Sequence, residues 1–192
     1  MRLQLLQQQA EAGDIVQLYG DESEALTHPY LARAWAKVGA DLRVPAPGQA
    51  KKVAMLGSFD HVTRQLIVHT SRTKRSSDFV AHLEQLDRLH GPKPGQAATR
   101  VVLVEDNGPI HTSKLSRKAL AARAHWLTVE WLPKYTPELN DIEAVWRDLK
   151  AHHLAHQTFA DADALDRAIL QAVEARNAER MVLPLAGQRI SA

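Results

Sequence analysis

The six residues Arg100–Glu105, RVVLVE, constrain this chain more than any other stretch. Their apolar run, Val101 to Val104, leaves no polar face, so the strand they form must be covered on both sides. The sequence supplies helices for that purpose. Phe79, Val80, Leu83, Leu86 and Leu89 recur at helical spacing over Ser77–His90, with Ser76 or Ser77 as the expected N-cap. Further helices are expected over about Ser113–Ala124, Asn140–His153 and Asp161–Arg180, and a short polar helix opens the chain. Strands are expected at Asp14–Gly20, Trp35–Val44, Lys52–Asp60, Arg64–Thr70 and Thr128–Leu132. The three between 35 and 70 should form an antiparallel meander. The expectation is an α/β fold: a mixed sheet, meander plus parallel strands, flanked by helices.

At 192 residues the chain fits a single domain, 1–192. It has no cysteine, which excludes disulfide frameworks, zinc–thiolate sites and iron–sulfur clusters. No apolar run approaches the roughly 18–20 residues of a membrane span. The opening stretch lacks the apolar core of a signal peptide, so a cytoplasmic protein is expected. Charge is uneven: residues 51–100 hold nine basic and four acidic side chains, within a chain of formal net charge +2. Lys51, Lys52, Arg64, Arg72, Lys74 and Arg75 make up much of that excess. Such a patch would meet a phosphate-rich partner, but a solvated loop is the commoner reading, and charge alone does not make this a nucleic-acid protein.

Three carboxylates stand where chemistry is often built. Asp21 follows the first expected strand, Asp106 follows the buried strand, and Glu143 lies in the first turn of a helix. If those two strands are sheet neighbours, their ends bring Asp21 and Asp106 together, with Glu143 approaching from a helix beside them. Converging carboxylates repel unless a divalent cation neutralises them. Oxygen-only ligands point to Mg²⁺ or Mn²⁺, and a pair of ions about 3.5–4 Å apart could cleave a phosphodiester. Each residue also has a plainer role. Asp21 could accept turn hydrogen bonds, Asp106-Asn107-Gly108 is a good turn, and Asn140-x-x-Glu143 has the form of a capping box. Spacing alone does not decide between these readings. His152 and His156, at i and i+4, could bind a metal or form a polar helix face.

The segments LYGDES, VEDNGPIHTS and WLPKYTPELNDIEAVWRDLK resemble the three acidic blocks of DDE transposases of the mariner superfamily, in particular bacterial insertion-sequence family 630. The most specific is Leu132-Pro133-x-Tyr135-x-Pro137-Glu138-Leu139-Asn140, followed by Ile142-Glu143 and Trp146. The 36 residues between Asp106 and Glu143 suit the group. The resemblance implies a ribonuclease H-like fold, with Asp21, Asp106 and Glu143 holding two Mg²⁺ or Mn²⁺ ions. It implies cleavage of double-stranded DNA at transposon ends and strand transfer into target DNA, by a homo-oligomer associated with the bacterial nucleoid. Asn107, His111 and Asn140 lie in matching blocks near the site, and Lys51, Lys52, Arg72, Lys74 and Arg75 are the candidate DNA contacts. Trp146 reads as core packing.

Two departures from the pattern stand out. Asp141 replaces the usual proline and places one more carboxylate near the site; aspartate also suits the positive end of a helix. Only some 20 residues precede Asp21. The family's helix-turn-helix domains are therefore expected to be absent, and a separate chain could supply end recognition. The alternatives are a catalytically impaired truncated transposase that binds DNA or a partner, and another ribonuclease H-like nuclease.

Overall fold

The computed structural model describes residues 2–31, 33, 35–46, 48–95, 99–134 and 136–182. Five strands form one sheet in the order β3-β2-β1-β4-β5. These are β1 (Val16–Leu26), β2 (Lys52–Asp60), β3 (Leu66–Ser71), β4 (Val101–Glu105) and β5 (Leu127–Trp131). The first three pair antiparallel, while β1–β4 and β4–β5 pair parallel. This is the mixed sheet that the alternation of strands and helices requires.

Helices cover both faces. On one side α5 (Ile142–Asp148) and α6 (Ala162–Val182) bury Ile142, Trp146, Leu165 and Ile169 against Tyr19, Phe59 and Val104. On the other, Phe79, Leu83 and Leu86 of α2 (Ser76–His90) pack on Leu18, Leu56 and Leu103. The strand RVVLVE is thus buried from both sides, and Val101–Glu105 are all buried. The helix α1 (Arg2–Glu11) rests Leu6 and Ala10 near Val102. A single turn, α3 (Pro109–Thr112), and α4 (Lys114–Ala122) replace the one helix expected over 113–124.

Four expectations are corrected. The first strand does not stop at Asp21; it continues to Leu26, because β2 offers a partner for every residue from Leu18 to Leu26. Trp35–Val44 is not a strand. Its β-favouring residues find no neighbour, and Trp35, Val38 and Leu42 are exposed in a long connection between β1 and β2. The meander is accordingly β1-β2-β3. The N-cap of α2 is Arg75 rather than Ser76 or Ser77; its amide donates to the Asp78 carboxylate at 2.8 Å, and Ser71 and Thr73 donate to the same carboxylate. The helix expected over 140–153 is two pieces, α5 and a π turn at Leu149–His153, and a separate 3₁₀ turn at Pro137–Leu139 precedes it. Among the described residues no helix is long and apolar enough to cross a membrane.

Candidate active site

The parallel ladder between β1 and β4 ends at Tyr19 and Val104. Asp21 and Asp106 therefore lie just beyond the last paired residues of adjacent strands. Asp21 lies on the α5 side of the sheet, opposite Gly57 of β2. Glu143, in the first turn of α5, completes the group. All three line one cleft of about 390 Å³, together with Asn107, Pro133 and Asn140.

The side chains around them are fixed by contacts that sequence periodicity does not report. Trp146 is buried, and its indole N–H donates to Asp21 Oδ2 at 3.1 Å. It reaches that carboxylate because Gly57 has no side chain: a Cβ there would stand 2.4 Å from the indole ring. Trp146 is thus both core and site. Asn140 donates from Nδ2 to the Gly20 carbonyl at 2.8 Å, tying the entry of α5 to β1 beside Asp21. The capping box does not form, because the Asn140 amide donates to the Pro137 carbonyl and its side chain is engaged with β1. Asn107 Nδ2 donates to the Leu132 carbonyl at 2.6 Å, holding the loop after β4 to the end of β5. Asp106 does make the turn its sequence allows, accepting the Gly108 N–H at 2.7 Å. Tyr135 lies outside the described residues.

Two sequence features resolve away from the cleft. Asp141 lines a separate groove, where its Oδ2 stands 3.9 Å from His61 Nδ1. It therefore does not crowd Asp21. His152 and His156 do not share a helix face, since His156 lies beyond the π turn with φ +59°.

His111 is buried on the opposite side of the sheet from Asp21, with Nε2 2.6 Å from Glu22 Oε1. The buried Glu105 lies 3.4 Å from its Nδ1. The electrostatics of this region are dominated by negative charge. Burial, then Glu143, Glu22 and Asp106, push the Asp21 carboxyl up to about 7. Burial pushes Glu105 up to about 8 even though His111 opposes the shift. For His111, burial favours the neutral ring, but Glu105, Glu22 and Asp106 outweigh it and raise the imidazole to about 9.

A divalent cation fits the donor set. The carboxylates opening on the cleft offer only oxygen, and Asp21 is held in a negative field that a cation would relieve. Among the described residues no three His, Cys, Asp or Glu side chains are already drawn up as a finished coordination sphere.

The basic residues divide. Lys52 and Lys74 stand 3.1 and 3.8 Å from Glu24 near the far end of β1. Arg72 donates to the Ala162 carbonyl and pairs with Asp163, so it fastens β3 to α6. Lys51 follows the β1–β2 connection, its amide bonded to Thr27, and Arg75 caps α2. Lys150 was not singled out from sequence, although it stands at i+7 from Glu143. Its ammonium donates to Ser23 Oγ at 2.7 Å and faces the charges of Glu143 and Asp21.

The family described as DDE superfamily endonuclease matches residues 16–166. The chain belongs to the DDE superfamily endonucleases. The match runs from β1 into α6 and includes all three carboxylates of the cleft. No curated protein sequence matches this DDE chain. Among solved structures it resembles the Mos1 transposase paired-end complex with left transposon end, at TM-score 0.58 and 18% identity, over 92% of this chain and 57% of that one. The Mos1 catalytic domain with raltegravir and Mn gives TM-score 0.57 at 19% identity, over 92% and 84%. A simian T-cell lymphotropic virus intasome complex gives 0.56 at 16%, over 82% and 46%. The DDE chain thus spans a little over half of the full Mos1 transposase chain. These likenesses establish the fold: the sheet is that of the ribonuclease H-like Mos1 catalytic domain.

Proposed function

We propose that this chain is a transposase catalytic domain of the bacterial insertion-sequence family 630 type. It cleaves double-stranded DNA at transposon ends and transfers the freed strand into target DNA. The observation that carries the reading is the convergence of Asp21, Asp106 and Glu143 on one cleft, with Asp21 held in a negative field. Asp21 and Asp106 would hold a pair of Mg²⁺ or Mn²⁺ ions, and Glu143 would complete one sphere. Such ions, when bound, activate the attacking oxygen and stabilise the leaving one. Structures of Mos1 with Mg and with Mn support this use of divalent metal.

The chain's own residues do the positioning. Trp146 orients Asp21 through its indole N–H, and Asn140 fixes the entry of the helix that presents Glu143. Lys150, beside Ser23, is placed to meet a DNA phosphate near the cleft, with Lys52 and Lys74 further along β1. One of the similar Mos1 structures is a paired-end complex with a transposon end, which supports a DNA partner.

The test is Mn²⁺-dependent nicking of duplex DNA by wild type and Asp106→Asn. Nicking that is lost in the variant supports the reading. Full activity in Asp106→Asn overturns it. DNA association without nicking favours a binding module, and preferential cutting of an RNA–DNA hybrid favours another ribonuclease H-like nuclease.

A further inference from the structure

Sheet pairing alone does not fix the gap between Asp21 and Asp106. The β1–β4 ladder ends at Tyr19 and Val104, so the residues that follow carry the two aspartates past the last paired position. On the other side of the sheet the two strand ends are joined by one side chain. Strand alternation turns Glu22 away from Asp21, and its Oε1 lies 2.6 Å from His111 Nε2. The same nitrogen stands 3.5 Å from Asp106 Oδ1, and Nδ1 stands 3.4 Å from Glu105 Oε1.

We propose that His111 is a positioning residue, which clamps the end of β1 to the end of β4 through Glu22, Glu105 and Asp106 and so sets the separation of Asp21 and Asp106. The inference rests on the reading of those aspartates as metal-holding residues.

Three features make the clamp rigid. His111 is 2% exposed and meets the Phe79 ring edge-on at a centroid distance of 4.6 Å. Its backbone belongs to a single turn that begins at Pro109, and the Thr112 hydroxyl and amide both donate to the Gly108 carbonyl. Glu105 fills the space left by Gly20, where a Cβ would stand 2.3 Å from the carboxylate. A side chain at 20 would therefore push Glu105 off the imidazole. Groups that orient metal-holding residues from behind typically change metal affinity about 10–100-fold when removed.

The experiment is a Mn²⁺ titration of the whole chain followed by electron paramagnetic resonance, with the metal-free melting temperature recorded for each protein. Glu22→Ala breaks the link to β1 and leaves His111 paired with Glu105 and Asp106. A second variant, Glu22→Gln with Glu105→Gln and His111→Leu, removes the clamp without stranding a buried charge. Asp106→Asn is the control. The clamp predicts Mn²⁺ binding weakened about 10–100-fold in both variants, with the metal-free melting temperature nearly unchanged in the triple variant, and binding lost in the control. Wild-type affinity in both variants, with binding lost in Asp106→Asn, overturns the clamp and leaves the metal site standing. Equal binding by Asp106→Asn and wild type, or none by wild type, overturns the site reading itself.

Discussion

Gly57 decides how closely Trp146 approaches Asp21. A methyl group at 57 would overlap the indole and press on Ile142, and both side chains belong to one buried cluster. Gly57→Ala should therefore destabilise the fold by about 1–3 kcal/mol, the usual range for overpacking, read by urea unfolding. It should also weaken Mn²⁺ binding by displacing the donor on Asp21. Stability and metal affinity both at wild-type level would show that the ring is not held there. The carboxylates themselves were legible, because three acidic blocks in order carry both spacing and motif. The Trp146 donor was not, since periodicity tells which face of a helix is buried and is silent on where an N–H points. The same limit hid the bond that Asn140 makes: its block placed it near the site, its position resembles a cap, and its side chain bonds a neighbouring strand.

Elements join the site to the core through a few such bonds. The Asn140 side chain is buried and is the bond between the entry of α5 and β1 at Gly20. Asn140→Ala should cost about 1–3 kcal/mol, the range for a buried hydrogen bond whose acceptor is left behind, and should lower DNA cleavage by letting Glu143 drift. A variant with unchanged cleavage would detach Asn140 from the site. On the opposite face, His82 of α2 places Nε2 2.7 Å from Ser58 Oγ of β2. Burial, with nearby His69 adding to it, pushes His82 down to about 3. The folded chain therefore keeps this ring neutral where the unfolded chain, with an ordinary pKa of about 6.5, takes a proton. Stability from this group is present above about 6.5 and is lost as pH falls toward 3. Measured by urea unfolding, wild type should lose up to about 1.4 kcal/mol per pH unit relative to His82→Gln between those limits. A constant difference across that window would contradict a buried neutral ring. Elements with strong periodicity were legible to within a few residues. Those that depend on partners were not: β1 extends because β2 accompanies it, and Trp35–Val44 stays irregular because nothing does.

At the scale of the molecule, one doubly covered strand organises everything. β4 needs helices on both faces, those helices define the two cores, and its exit beside β1 creates the cleft between them. The fold class was legible for that reason, and the family match from β1 into α6 agrees with it. The fold also concentrates negative charge at one point, so a bound cation should stabilise the whole domain. At Mn²⁺ a hundredfold above its dissociation constant the gain is about 2.7 kcal/mol, visible as a rise in melting temperature that Asp106→Asn abolishes. An equal rise in both proteins would place the binding elsewhere. The most direct test of the account is anomalous scattering from crystals soaked in Mn²⁺. The account predicts metal peaks within about 2.0–2.6 Å of carboxylate oxygens of Asp21 and Asp106, with Glu143 turned toward one of them. Peaks confined to other parts of the surface, with the cleft carboxylates unchanged, would contradict it.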